Sequence, residues 1–185
     1  MHRVYLILLF LCSLTAQSKD TLLKLYRPFN VSDEQANINI HATKSGQCLQ
    51  QSKLILREDA WRCHANGKVY DPCFTKNFGN KKEALCPASP LNGESTLITV
   101  NEPLNNIFHT SLDMSRAYPW AVILENGTYC QAIESKESYD HLPVHYRCQD
   151  NSLLLGHIQR CDPNWKMLQK KEDQIQTVSL AKVWF

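Results

Sequence analysis

Apolar and polar residues along this chain change over short distances, in runs too brief for helices and punctuated by Gly, Pro, Asn and Asp, which is the pattern of strands joined by turns. Residues 95–100 (STLITV) are rich in β-branched side chains and lie between Asn92-Gly93 and Asn101-Glu102-Pro103, so they predict a short strand. Residues 119–133 (PWAVILENGTYCQAI) place Asn126-Gly127 between two apolar runs, predicting a hairpin with a type I′ turn. A second hairpin joins residues 144–148 to 152–158 through Gln149-Asp150-Asn151, and a third joins 165–168 to 175–185 across the charged stretch 169–174. Three successive hairpins imply an antiparallel meander.

The last run, IQTVSLAKVWF, has apolar residues at both phases of a two-residue period, which predicts a strand covered on both faces. Helix signals are scarce. Residues 31–36 begin a helical turn with Ser32 or Asp33 as cap, and 37–40 then alternate like a strand. Pro87, Pro90 and Pro103 mark a loop-rich middle, and a division into two lobes falls near 107–117. The fold class that follows is mainly β, an antiparallel meander closed as a sandwich or partly open barrel, with a loop-rich, disulfide-stapled N-terminal half.

The N-terminus has a different character. His2 and Arg3 precede an apolar run from Val4 to Leu14, followed by small or polar residues at Thr15, Ala16, Gln17 and Ser18, the layout of a cleaved export signal. The run falls short of the roughly 20 residues needed to span a bilayer. Cleavage after Ser18 leaves 19–47 as an N-terminal extension and 48–185 as a disulfide-stabilised β domain. Cys12 is a poor lipidation site because Phe10 and Leu11 precede it where small residues are required. Losing residues 1–18 removes Arg3 and no acid, so the formal charge goes from +2 to +1. A nearly neutral chain has no electrostatic claim on nucleic acid.

Export changes how the cysteines are read. Cys48, Cys63, Cys73, Cys86, Cys130, Cys148 and Cys161 follow the signal, and an oxidising compartment favours disulfides over a metal site. Sequential pairing of the first six encloses 14, 12 and 17 residues, each loop contributing about 3 kcal/mol by closure entropy. It is one of about fifteen connectivities. Cys161 is left over as a free thiol, expected to be buried and inert, with an interchain bridge or a reactive thiol as alternatives.

The ordered motifs Ala60-Trp61-Arg62-Cys63, Asp71-Pro72-Cys73-Phe74, Cys86-Pro87, Asn126-Gly127-Thr128-Tyr129-Cys130 and His145-Tyr146-Arg147-Cys148, with Leu154-Leu155-Gly156, Pro163-Asn164-Trp165 and Val183-Trp184-Phe185, resemble a group of uncharacterised exported bacterial proteins. The likeness covers roughly residues 48–185. It implies an architecture, export to the periplasm, envelope or medium, and sequential pairing, because the first six cysteines fall on its pattern and Cys161 does not. It implies no reaction.

Candidate chemistry is thin. His141 and His145 are separated by Pro143, which opposes a helix, and on a strand they stand about 13 Å apart, too far to share one metal ion. His64 could pair with Cys63 only if that thiol were reduced. No Gly-x-Ser-x-Gly and no glycine-rich phosphate loop occurs. Asp71 and Asp162 each precede proline, the ordinary signature of a turn. Trp61, Trp120, Trp165 and Trp184 offer either a binding platform or a core, and at least three are expected to be buried. Tyr129, Tyr139 and Tyr146 are expected at the surface. Asn30 and Asn126 lie in glycan-acceptor sequons, which the bacterial origin implied by the resemblance makes chance matches. These features favour an exported binding or structural protein, with an unknown protein or glycan as ligand and without cofactor. The alternatives are a hydrolase of an envelope polymer, with Asp71, His64 or Asp162 as first suspects, and an inhibitor presenting the 73–86 loop.

Overall fold

The computed structural model describes residues 19–29, 38–76 and 81–185. The predicted helical turn at 31–36 lies outside them. The described residues form fourteen strands and no helix. A short β1 (Leu22–Lys24) is followed by β2 (Asn39–Ser45), β3 (Gln47–Gln51), β4 (Ala60–Ala65), β5 (Lys68–Thr75), β6 (Glu83–Pro87) and β7 (Glu94–Thr99). After a connector come β8 (Ala121–Leu124), β9 (Tyr129–Ala132), β10 (Ser138–Tyr139), β11 (Leu142–Cys148), β12 (Leu153–Gln159), β13 (Lys166–Lys171) and β14 (Gln174–Trp184).

The second group forms a closed barrel. Strands β9, β11, β12, β13 and β14 run as an antiparallel meander, and β8 pairs antiparallel with both β9 and β14. Six alternating strands close with every contact antiparallel, which leaves no exposed edge in the ring. The first group is a six-stranded sheet in the order β2-β7-β6-β5-β4-β3. Its meander has five strands, so its first and last members run in the same direction, and β2 pairs parallel with β7. β2 and β3 are separated by Gly46 alone. There the amide of Gly46 donates to the Thr99 carbonyl (2.9 Å), while a Cβ added at Gly46 would lie 2.4 Å from the His64 carbonyl oxygen. The two ends of the sheet therefore meet at a residue that has to be glycine.

The two units share one plan. In each, a disulfide joins directly opposed residues of the first two meander strands, Cys48–Cys63 across β3–β4 and Cys130–Cys148 across β9–β11, with Cα atoms 4.0 and 3.8 Å apart. In each, the second cysteine ends an aromatic-Arg-Cys triplet, Trp61-Arg62-Cys63 or Tyr146-Arg147-Cys148, and a hairpin with a left-handed asparagine follows, Asn66 or Asn151. In each, the last strand gains a parallel partner from the N-terminal stretch, β2 on β7 and β1 on β14. Residues 19–47, set aside in the sequence as an extension, thus supply a strand to both sheets. The third disulfide, Cys73–Cys86, joins β5 to β6.

Turn chemistry departs from expectation in one respect. At Glu125-Asn126-Gly127 only Gly127 has positive φ (84°), its amide donates to the Leu124 carbonyl (2.9 Å), and the Leu124 amide donates to Thr128 (3.0 Å). This is a type I turn completed by a left-handed glycine, not type I′. Asn151 (φ 64°) fills the glycine's place in the same geometry between β11 and β12. The type I′ pattern occurs instead at Asn66-Gly67, φ 50° and 73°. The third hairpin turns tightly at Glu172-Asp173, with Lys171 opposite Gln174. β14 is covered only in its second half, because residues 174–177 are exposed.

The units pack through an aromatic trio. Tyr26, Phe74 and Trp120 meet with centroids 5.2, 5.4 and 5.9 Å apart, and Ile55, Ala60 and Phe185 are buried around them. Burying each large apolar side chain contributes roughly 1.5–3 kcal/mol. Burial and the closeness of Ser95 and Arg57 act in opposite directions on the Tyr26 phenol; burial dominates and pushes its pKa up to about 12. Three of the four tryptophans, Trp61, Trp120 and Trp184, are buried. Tyr146 is also fully buried, contrary to the surface position expected of it.

Candidate functional site

Trp61 sits on β4 with 4% of its surface exposed, yet its indole Nε1 has no hydrogen-bond partner among the described residues. A buried indole N–H ordinarily finds an acceptor, so this atom carries a desolvation cost of about 1–3 kcal/mol. Trp61 is one of the residues lining a cavity of about 440 Å³. The joint Gly46–Leu49 supplies a second wall, and residues 100–105, leaving β7, supply the third. Apolar surface comes from Leu49, Val100, Pro103 and Leu104; Gln47, Asn101, Glu102 and Asn105 add polar groups.

The connector is tied down next to this cavity. Leu104 donates to the Lys81 carbonyl (3.0 Å), and Asn106 donates through Nδ2 to the Glu58 carbonyl (2.9 Å). The side chain of Gln51, at the end of β3, donates to the Thr110 carbonyl (2.8 Å) and accepts from the Thr110 amide (3.1 Å). His109 is thereby held with its ring 4.2 Å from that of Trp61. Leu49, Ile107 and Phe108 remain 75%, 72% and 95% exposed, the three most exposed large apolar side chains among the described residues.

Other unpartnered buried atoms lack such a setting. Trp120 Nε1 is enclosed at the seam between the units, away from the cavity walls. A second cavity, of about 430 Å³, is lined by Arg57, Asp59 and Lys76, but these are engaged. Arg57 pairs with Asp59 and donates to the Tyr26 and Phe185 carbonyls, and Lys76 lies 5.4 Å over the Phe29 ring.

The suspected hydrolytic residues fall on the paired strands β4 and β5 and in the bend after β12. His64 is exposed on β4 opposite Val69, and Asp162 is exposed in a bend after β12. Asp71 is half-buried with its side chain 6% exposed; its carboxylate accepts from Ser52 Oγ (2.5 Å), the Lys53 amide (3.0 Å) and Arg62 (3.1 Å). Burial raises its pKa against the opposing pull of those donors. Arg62 and Lys53 also reach Glu134 of the second unit, at 2.9 and 2.7 Å, so this network fastens the units together. Ser52 Oγ accepts from the amides of Leu54 and Ile55, the role of a loop-closing hydroxyl.

The histidines also part company. His141 occupies the β10–β11 turn at φ 64°, whereas His145 stacks on Tyr118 at 4.4 Å. Tyr118 meets His157 Nδ1 at 3.0 Å, and Arg160 donates to the carbonyls of Ser115 and Ala117, locking the connector onto the barrel. The sulfurs of Cys63, Cys73 and Cys86 lie within 4.8 Å of one another, but each belongs to a disulfide and offers no thiolate. The three bridges are the sequential ones. Cys161 is free and exposed, where a buried thiol was expected.

Trp61 was visible in the sequence only as one more tryptophan beside a cysteine. Its unmet donor and the cavity depend on residues 40 positions away, at 100–105. Compared with protein-family models, with curated proteins and with solved structures, the chain matches none. Among the described residues no helix is long and apolar enough to cross a membrane.

Proposed function

We propose that this is an exported binding protein of the periplasm, envelope or medium, akin to the uncharacterised bacterial proteins whose motifs it resembles. Its ligand presents an apolar group bearing a hydrogen-bond acceptor to the Trp61 cavity. The observation that carries this reading is that Trp61 lines the cavity while its buried Nε1 has no acceptor among the described residues. A ligand oxygen that reaches this donor recovers the desolvation cost, and Leu49, Val100 and Leu104 supply the apolar contact. The three disulfides suit an oxidising compartment.

An exported hydrolase is the lesser reading: Asp71 and His64 lie on the neighbouring strands β5 and β4, but the Asp71 carboxylate is taken up by Ser52, the Lys53 amide and Arg62, and Asp162 stands in the bend after β12. For an inhibitor presenting the 73–86 loop, both bridge cysteines are buried, which leaves the bridge itself out of a partner's reach. The test is tryptophan fluorescence of the protein and of Trp61→Phe during titration with short apolar peptides and with acetylated oligosaccharides. A saturable change in the parent that vanishes in Trp61→Phe supports the cavity; identical responses in both proteins would refute it.

A further inference from the structure

We infer that the occupant of the Trp61 cavity is an extended peptide, seated as an added strand along β3, with one of its carbonyls accepting from Trp61 Nε1. This rests on the cavity being a binding site. The second unit supplies the template. There β9 is paired on both sides, with β11 and with β8. Its counterpart β3 pairs with β4 alone, and residues 46–49, which include its first three residues, form a wall of the cavity.

The aromatic residues that begin the two equivalent triplets differ in the same way. Tyr146 donates its hydroxyl to the Pro119 carbonyl at 2.7 Å. Pro119 belongs to the segment entering β8, where the Trp120 amide donates to Trp184 (2.9 Å) and its carbonyl accepts from Ala132 (2.9 Å). An extended piece of the chain's own backbone thus satisfies the buried donor of the second unit. Trp61 holds the matching position in the first unit, two residues before its cysteine, and has no such acceptor.

Peptide chemistry fits each requirement of the place. Backbone carbonyls alternate with amides at the spacing an edge strand pairs with, so one carbonyl can meet the indole while others meet β3. Apolar side chains on the same segment reach Leu49, Val100 and Leu104. Leu49 lies at the register shift between Cys48 and Gln50, and such irregularities at sheet edges re-aim a side chain. An oligosaccharide offers acceptors for Trp61 but no ladder for the strand.

The experiment uses the full protein labelled with nitrogen-15 and observes the indole N–H signals, with that of Trp61 assigned by its loss in Trp61→Phe. The probe is the unlabelled, acetylated and amidated peptide Ala-Tyr-Pro-Trp-Ala, copied from residues 117–121. We expect a saturable downfield shift of the Trp61 signal and slowed exchange of β3 amides. An analogue with the proline carbonyl replaced by methylene should bind about tenfold more weakly, as loss of one hydrogen bond to a buried donor implies. Leu49→Asp, an exposed change, should weaken the parent peptide by a similar factor while leaving the spectrum of the free protein folded. If triacetylchitotriose moves the Trp61 signal and the peptide does not, the peptide inference falls and the cavity stands. If neither probe moves it, both fall.

Discussion

Arg57 grips Asp59, two residues along the same loop, with both arms of its guanidinium, Nε to Oδ1 at 2.5 Å and Nη2 to Oδ2 at 2.6 Å. The remaining nitrogen donates to the carbonyls of Tyr26 and Phe185, and the guanidinium lies 4.7 Å over the Phe74 ring. One cation therefore joins the loop before β4 to the residues flanking β1 and following β14. Both side chains are nearly inaccessible, at 4% and 9% exposure.

Arg57→Met should cost about 3–5 kcal/mol, because it strands a buried carboxylate and two carbonyls. The urea midpoint reports the loss. Replacing both members, Arg57→Met with Asp59→Leu, should recover much of it, and a double variant no more stable than the single would contradict a charge-based origin.

Glycine substitutions should separate steric closure from backbone preference. Gly46→Ala drives a methyl against the His64 carbonyl and should cost about 1–3 kcal/mol. Gly67→Ala meets nothing within 4 Å and should cost only about 1–2 kcal/mol, through its φ of 73°. Hydrogen exchange distinguishes them. Protection should fall at both β2–β7 and β3–β4 in the first variant, and only at the β4–β5 hairpin in the second.

Acid sensitivity should trace to His145. Burial, then the nearby His157, lowers its pKa from the ordinary 6.5. The folded protein therefore binds fewer protons there than the unfolded chain, so this contribution to stability is complete above pH 6.5 and shrinks as the pH falls below it. Tyr118, His157 and Arg160 are the titratable or charged groups beside it. His145→Gln should flatten the decline in melting temperature between about pH 7 and 5.5; an unchanged slope would assign the decline elsewhere.

Thiol accounting should be simple. Iodoacetamide should modify one cysteine in the described part of the native protein, Cys161, and the six others only after reduction. Mild oxidation should yield a dimer on a non-reducing gel that Cys161→Ser abolishes. Replacing Cys130 and Cys148 by alanine should cost about 3 kcal/mol, set by the 17-residue loop.

Much of the barrel was readable because its pairings are local. Residues 119–133 and 144–158 each carry two apolar runs around a turn, and the hairpins form where those runs meet. Asn-Gly marked the turn at 126–127 but not its type, since asparagine and glycine suit both the type I′ turn and the type I turn closed by a left-handed residue. The parallel strands β1 and β2 were harder to read, because nothing in a three- or seven-residue segment names a partner in the last strand of its unit. Cys161 was misplaced because a cysteine's usual preference for the interior yielded to the exposed bend of Asp162-Pro163. The Trp61 site was illegible for a different reason. Sequence reveals a donor, but only three dimensions reveal that its acceptor is missing.

The pairing of Leu22 with Lys182 spans 160 residues of chain. At synthesis speeds of about 5–20 residues per second, roughly ten to thirty seconds pass between the appearance of one strand and its partner. During that interval the first sheet, whose strands all lie between residues 39 and 99, can already assemble. Assembly thus has a clock: one half can set early, while the strand that opens the described structure waits for the one that closes it.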